Sequence, residues 1–343
     1  MARRPPRASS VTGKRTNGSN GATRAATPAR GIEWGKLARP RTASGRAGQG
    51  SVPIGAVRSA LARAGTERMP FLTEMVGNRL GATARLRVEL VWERPDQWIF
   101  RVTDARDGDA TGLALRVARA PGLSARVARA EYQHLRTLYN LDPSMVPLPL
   151  AGGVLHVQRP RAAVLYAYLT QWLEGFEQIG FDASGDLVVG RDGRPEKIAA
   201  ADAQRLRARM CEVLARAYDP ARQTAIWPID PRAGDFVARR DGDDFQVRLV
   251  APRGTDRSVP PARLVALMRE PQWEVAGRRV ALAPVDPERF EDALARGFSR
   301  RDGDPERGRE RARRYLSAYE ALRRGRARQS WSPARNSSST SPR

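Results

Sequence analysis

The sequence predicts an α+β protein in two unequal lobes: a small one of five antiparallel strands with one inserted helix, then a larger, mostly helical one. Three observations carry this. Short runs of β-branched and aromatic residues crowd the stretch before Glu174-Gly175 and are interrupted by one long amphipathic segment. After Glu174-Gly175 the apolar residues recur mainly at three and four positions, the spacing of a helix with one buried face. Both ends of the chain hold almost no large apolar residues.

In order, residues 1–50 are rich in Arg, Ala, Gly, Ser and Thr and cannot bury enough surface to offset their ordering entropy, so a disordered basic tail is expected. Residues 51–84 read as a helical extension: one helix over 53–64 through Ile54, Val57 and Leu61, and a second over 66–80 through Phe71, Leu72, Met75 and Val76. The small lobe spans 85–174. Strands are expected at 86–92 and 98–103, joined through Glu93-Arg-Pro-Asp-Gln97, and a third at 113–118. A helix then opens near Pro121 and runs to about Tyr139, and strands at 154–157 and 163–172 lead to the Glu174-Gly175 joint.

The large lobe spans 175–325. It begins with a brief strand at 186–190 and an amphipathic helix at 199–218 through Leu206, Met210, Val213 and Leu214. A hairpin follows, Phe236-Val237 pairing with 245–250, with Asp241-Gly242 at the centre of its turn. Helices are expected at 260–268, 287–298 and 305–324, and residues 326–343 form a second disordered tail.

The 343 residues carry a net charge of +23. Residues 1–50 hold +10 of it (eleven Lys or Arg against Glu33) and residues 300–343 hold +8 (thirteen Arg against five acids), which leaves +5 for the middle. The tails are therefore the expected contact for nucleic acid or another polyanion, while the middle is charged like an ordinary globular domain. Cys211 is the only cysteine, so no intrachain disulfide can form, and a reducing, cytoplasmic location is expected. No apolar run approaches the length of a membrane span, so no membrane association is expected. His134 and His156 are the only histidines, too few for a histidine metal site. Trp92, Trp98, Trp172, Trp227 and Trp273 sit in or beside apolar runs, where burial rather than a base-stacking platform is expected.

The segment with most chemistry is Pro228-Ile-Asp230-Pro-Arg-Ala-Gly234-Asp235-Phe-Val. It places two carboxylates five positions apart on a loop that opens a strand. This segment and the element order resemble the protein-kinase-like fold, in particular the aminoglycoside phosphotransferase branch, whose loop reads His-Gly-Asp-x-x-x-Gly-Asn. Pro228 and Ile229 stand in place of the family's His and Gly. The resemblance implies Asp230 as catalytic base and Asp235 as metal ligand. It also implies nucleotide contacts from Arg116 (in Ala114-Leu-Arg116-Val, where the family carries a lysine), from Glu131 as its ion-pair partner, and from the joint at Glu174. An arginine there keeps the charge but not the shape of an ammonium.

The departures point away from catalysis. The turn at 93–97 has no glycine, so no glycine-rich loop lies over phosphates. The returning strand ends in Ala251-Pro-Arg253-Gly254, without the magnesium-binding acid expected there; the next acid is Asp256. The expected function is thus a degenerate, pseudokinase-like protein acting as a non-catalytic binding or regulatory module. The alternatives are an atypical phosphotransferase using Asp230 and Asp235 with ATP and Mg²⁺, and an Arg-rich nucleic-acid-binding protein.

Overall fold

The structure, a computed structural model, describes residues 32–34, 52–63, 86–106, 112–158, 162–182, 184, 186–191, 194–227, 234–270, 272–275, 278–281 and 284–330. The helix expected over 66–80, Asp230 with residues 228–233, and 331–343 lie outside the described residues.

The first half contains β1 (Ile32–Trp34), α1 (Ile54–Arg63), β2 (Leu86–Glu93), β3 (Gln97–Asp104), β4 (Leu113–Ala118), α2 (Leu123–Leu141), β5 (Pro149–Val157) and β6 (Ala163–Gln171). These strands form one sheet in the order β1-β2-β3-β4-β6-β5. Strands β2 to β6 pair antiparallel, as expected. The sixth strand corrects the reading of residues 1–50 as wholly without structure: Ile32–Trp34 pairs in parallel with Leu86–Val88. Isoleucine and tryptophan favour extended backbone, and the outer edge of β2 offers the N–H and C=O groups that such a segment needs.

Side chains alternate across the sheet. On one face Trp98, Phe100, Val102, Leu113, Leu115, Val117, Leu165 and Leu169 pack under Val57, Ala60 and Leu61 of α1. Arg116 and Tyr168, at the even positions of β4 and β6, lie on the other face, towards α2. Of the tryptophans expected to be buried, Trp98 is buried, while Trp92, Trp172 and Trp227 are half-buried.

The second half contains β7 (Glu177–Phe181), β8 (Leu187–Arg191), β9 (Arg194–Lys197), α3 (Ala200–Ala217), β10 (Ala225–Ile226), β11 (Phe236–Asp241), β12 (Asp244–Leu249), β13 (Thr255–Asp256), α4 (Pro261–Arg269), β14 (Gln272–Val275), β15 (Arg278–Ala281), α5 (Pro287–Asp302) and α6 (Pro305–Ser330). It is less helical than expected, because it holds a five-stranded antiparallel sheet in the order β12-β11-β7-β8-β9. The strands at 177–181 and 194–197 escape the sequence reading because Gln178, Gly180, Pro195 and Lys197 give neither alternation nor an apolar run. The β11–β12 turn is also shifted by one residue. Asp241 pairs with Asp244, and Gly242 takes φ 59 at the first central position, the pattern of a type II′ turn.

One apolar cluster joins the halves: Leu135 and Leu138 of α2 and Tyr168 of β6 pack with Met210 of α3 and with Phe236, Val247 and Leu249 of the second sheet. Another packs the far side of α3 against α4, α5 and α6. Helix α6 runs past the expected boundary into the second tail, and on its expected apolar face Tyr319 is buried but Leu322 is exposed. No helix among the described residues is long and apolar enough to cross a membrane.

The buried carboxylate of Glu212 ties α3 to its surroundings, accepting from Arg209 (2.5 Å), Arg216 (2.9 Å) and Arg296 of α5 (3.1 Å). Burial alone would raise its pKa; Arg209, then Arg296 and Arg216, outweigh that and hold it below the usual glutamate range. A depressed carboxylate stabilises the fold above its unfolded pKa, and that contribution is lost as pH falls through the folded value. Glu212→Gln is therefore expected to lose about 3 kcal/mol in urea unfolding at pH 7. The gap to the parent protein should narrow below about pH 4.

Candidate functional site

Arg116 is brought to the inner face of the first sheet by its register, opposite Ile99 of β3 and Tyr168 of β6. Glu131 lies in the buried stripe of α2 with Ala128, Leu135 and Leu138. Asp235, fully buried, directly precedes β11. The backbone turns into it at Gly234, whose φ of +66 favours glycine, and the Gln178 side chain packs against the Gly234 Cα. The carbonyl of Asp235 accepts from Val250 N at 2.8 Å, which fixes the loop before β11 to the end of β12.

Of the side chains that surround these three residues, the sequence reading names only Arg253. Gln97 Nε2 and Tyr168 OH both donate to Glu131 Oε2, the latter at 2.8 Å. Arg94, 1% exposed, forms a hydrogen-bonded ion pair with Asp235. Arg253 approaches the same oxygen, with Nε 3.4 Å from Asp235 Oδ1. The Arg116–Glu131 ion pair implied by the resemblance is not among the described contacts; Glu131 Oε2 accepts from Gln97 and Tyr168. Glu174 stands apart from the cluster. Its exposed carboxylate accepts from Arg101 Nη2 at 2.8 Å, and Arg101 also lies over the Trp172 ring.

The inward course of Arg94 follows from its turn. Arg94 N donates to Gln97 O (2.8 Å), Pro95 limits φ, and Arg119 clamps the outside by donating to Arg94 O (2.9 Å) and pairing with Glu93 (2.9 Å). Nothing in Glu93-Arg-Pro-Asp-Gln97 distinguishes an arginine folded inward from one in solvent, so Arg94 had no sequence signal beyond its place in the turn. Arg253 is held similarly. His134 Nδ1 of α2 lies 2.9 Å from Pro252 O, and since a carbonyl can only accept, that nitrogen carries the proton.

Burial pushes the Arg94 guanidinium down, but Asp235, Glu131 and Asp96 more than offset it, and its pKa stands above the usual arginine value. Burial, reinforced by Glu131 and opposed by Arg116 and Arg94, pushes the Tyr168 phenol well above its ordinary value. Tyr168 is therefore a neutral hydrogen-bond donor.

The described residues do not fit a divalent metal at Asp235. Arg94 and Arg253 hold its Oδ1, and the chain after β12 brings Arg253 to it rather than a second carboxylate. Among the described residues no three His, Cys, Asp or Glu side chains converge on a point. A guanidinium thus stands against the carboxylate to which the resemblance assigns a cation.

No family model and no curated protein matches the chain. Among solved structures it is similar to WaaP in complex with acyl carrier protein, at 15% identity over 77% of this chain and 95% of that one, with a TM-score of 0.32. It is also similar to a fructosamine-3-kinase-like protein from Haemophilus somnus, at 11% identity over 72% of this chain and 97% of that one, with a TM-score of 0.30. Both scores are too low to carry a conclusion about this protein.

Removing one partner of a buried ion pair leaves the other uncompensated, so Arg94→Ala and Asp235→Ala are each expected to cost about 3–5 kcal/mol. The double variant should cost clearly less than the sum, and a double-mutant cycle in urea reads that coupling.

Proposed function

We propose that this chain is a kinase-like protein that no longer transfers phosphoryl groups and serves as a binding or regulatory module. The observation that carries this reading is the buried Arg94–Asp235 ion pair. Arg94 comes from the turn that would cover a nucleotide's phosphates in a kinase-like fold, and it neutralises the carboxylate that would hold magnesium there. Phosphoryl transfer depends on positioning and charge neutralisation by metal ions, and the described residues around Asp235 do not assemble a metal site. The order of elements supports the kinase-like part of the reading. Three antiparallel strands precede α2 and two follow it; after the joint come β7, β8 and β9, the long helix α3, the short β10 and the β11–β12 hairpin. Asp230, the base of the alternative phosphotransferase reading, lies outside the described residues.

The test is a thermal-shift titration with ATP and GTP in the presence and absence of Mg²⁺, accompanied by an ATP-hydrolysis assay. A ligand that binds only the native state raises apparent stability by mass action. No magnesium-dependent shift and no turnover above background are expected. A magnesium-dependent shift abolished by Asp235→Ala, with turnover lost on Asp230→Asn, would replace this reading by the phosphotransferase one.

A further inference from the structure

The fold assembles an aromatic and cationic face at the β5 edge of the first sheet, from segments that are distant in the chain. On α2, Arg129, Tyr132 and Arg136 follow one another at i, i+3 and i+7, so they share one side of the helix. Tyr166 reaches the same side from β6. Its ring centroid lies 6.5 Å from that of Tyr132, which in turn lies 5.7 Å from that of Tyr168. The Tyr132 and Tyr166 rings rest against the β5 backbone at Gly152, where a Cβ would stand 2.5 Å from the Tyr166 hydroxyl and 2.8 Å from the Tyr132 ring. Both rings are half-buried, whereas Arg129 and Arg136 are exposed.

Burial raises the pKa of both phenols, and Tyr132 adds to the rise at Tyr166; Arg136 opposes it at both rings and Arg129 at Tyr166. The rings are therefore uncharged and lie within the field of two guanidiniums. Among the described residues neither Arg129 nor Arg136 pairs with a carboxylate. The one acid of α2, Glu131, is buried and accepts from Gln97 and Tyr168. The face continues past Tyr139, which acts on Arg248, and Arg248 and Arg239 lie 5.7 Å and 5.0 Å from the Phe176 ring. Asp142, which also acts on Arg248, is engaged by Arg216 at 2.7 Å.

Fixed cations beside half-open aromatic rings match a polymer with a negative charge on every unit and a flat ring attached to it. A duplex keeps its bases inside its own stack, and an acidic peptide offers charge without rings. Either could use the arginines but not the tyrosines. We infer that the face formed by Arg129, Tyr132, Arg136 and Tyr166 binds single-stranded nucleic acid, with phosphates on the arginines and a base against the tyrosines. Arg248 and Arg239 extend the cationic path towards the second half of the chain. The site uses none of Arg94, Arg116 and Asp235, so it is independent of what the cleft binds.

The test uses the full-length protein and fluorescence anisotropy with labelled oligouridylate and oligothymidylate of about 15 nucleotides, a duplex of the same length and a poly-glutamate peptide. The single strands should bind at least about tenfold more tightly than the duplex or the peptide. Preference for oligouridylate identifies RNA as the strand, and the reverse preference DNA. Tyr132→Leu and Tyr166→Leu should each weaken single-strand binding about tenfold and leave duplex binding unchanged. Arg129→Gln and Arg136→Gln should each lower the slope of log Kd against log salt by about 0.7.

Ultraviolet irradiation of the oligouridylate complex should give cross-links that mass spectrometry maps to Tyr132 or Tyr166. If a tyrosine variant does not fold by circular dichroism, the two arginine variants and the cross-link map decide. Equal binding of the duplex or the peptide would overturn the inference. So would single-strand binding that survives both tyrosine substitutions, or cross-links confined to residues 1–50 and 326–343. None of these outcomes bears on the non-catalytic reading, which only magnesium-dependent binding with turnover overturns.

Discussion

The ion pair between Arg94 and Asp235 joins two segments 141 positions apart in the chain, and it does so where water cannot compensate either charge. In a low-dielectric interior a lone carboxylate or guanidinium is costly by several kcal/mol, so each residue dictates the position of the other. Around that constraint the rest of the cleft is fixed. The β2–β3 turn must stay tight enough for Arg94 to reach inward, which Arg119 ensures from outside. The loop before β11 must turn left-handed at Gly234 to present Asp235, and it is stapled to the end of β12 through Val250. The pair thus acts as a bolt between the first sheet and the second half of the chain, supplementing the apolar cluster that α2, α3 and the second sheet share.

Glu131 illustrates how a site can keep its residues while changing their partners. Its position on α2 places it in the buried stripe whatever it contacts, since helical spacing with Ala128, Leu135 and Leu138 decides that. What it contacts depends on two neighbours on the sheet, Gln97 and Tyr168, whose hydrogen bonds occupy one of its oxygens. Arg116 is left with buried nitrogens and no carboxylate to satisfy them. Arg116 and Glu131 thus share the interior between the first sheet and α2 without an ion pair between them among the described contacts.

Much of the fold was legible because alternation and helical spacing are written residue by residue. Leu113, Leu115 and Val117 against Ala114, Arg116 and Ala118 mark a strand with two faces, and Leu206, Met210 and Val213 mark a buried helix stripe. The strands at 177–181 and 194–197 were hidden because polar residues, Gly180 and Pro195 interrupt both patterns, and their pairing is set by neighbours distant in sequence. Arg116, Glu131 and Asp235 were singled out only through the resemblance of their segments to a kinase-like pattern, and the fold places them on β4, on α2 and directly before β11. Of their partners, only Arg253 was named. The direction of Arg94 is decided by a clamp from Arg119, 25 residues later, and the approach of Arg253 by a hydrogen bond from His134 to its neighbour Pro252. Such long-range contacts have no local signature.

The parallel pairing of Ile32–Trp34 with Leu86–Val88 has a further consequence. Two parallel neighbours cannot be joined by a hairpin, so the intervening chain must cross over the sheet, and α1 lies on that crossover, packed on the apolar face. The short strand also shields a rim of main-chain groups that would otherwise be free to recruit another chain. Trimming the protein at residue 50, the natural choice if everything before it were a loose tail, would uncover that rim and leave the crossover without its starting point. The first fifty residues are therefore not uniformly dispensable: the three residues Ile-Glu-Trp cover a sheet edge that would otherwise invite another chain.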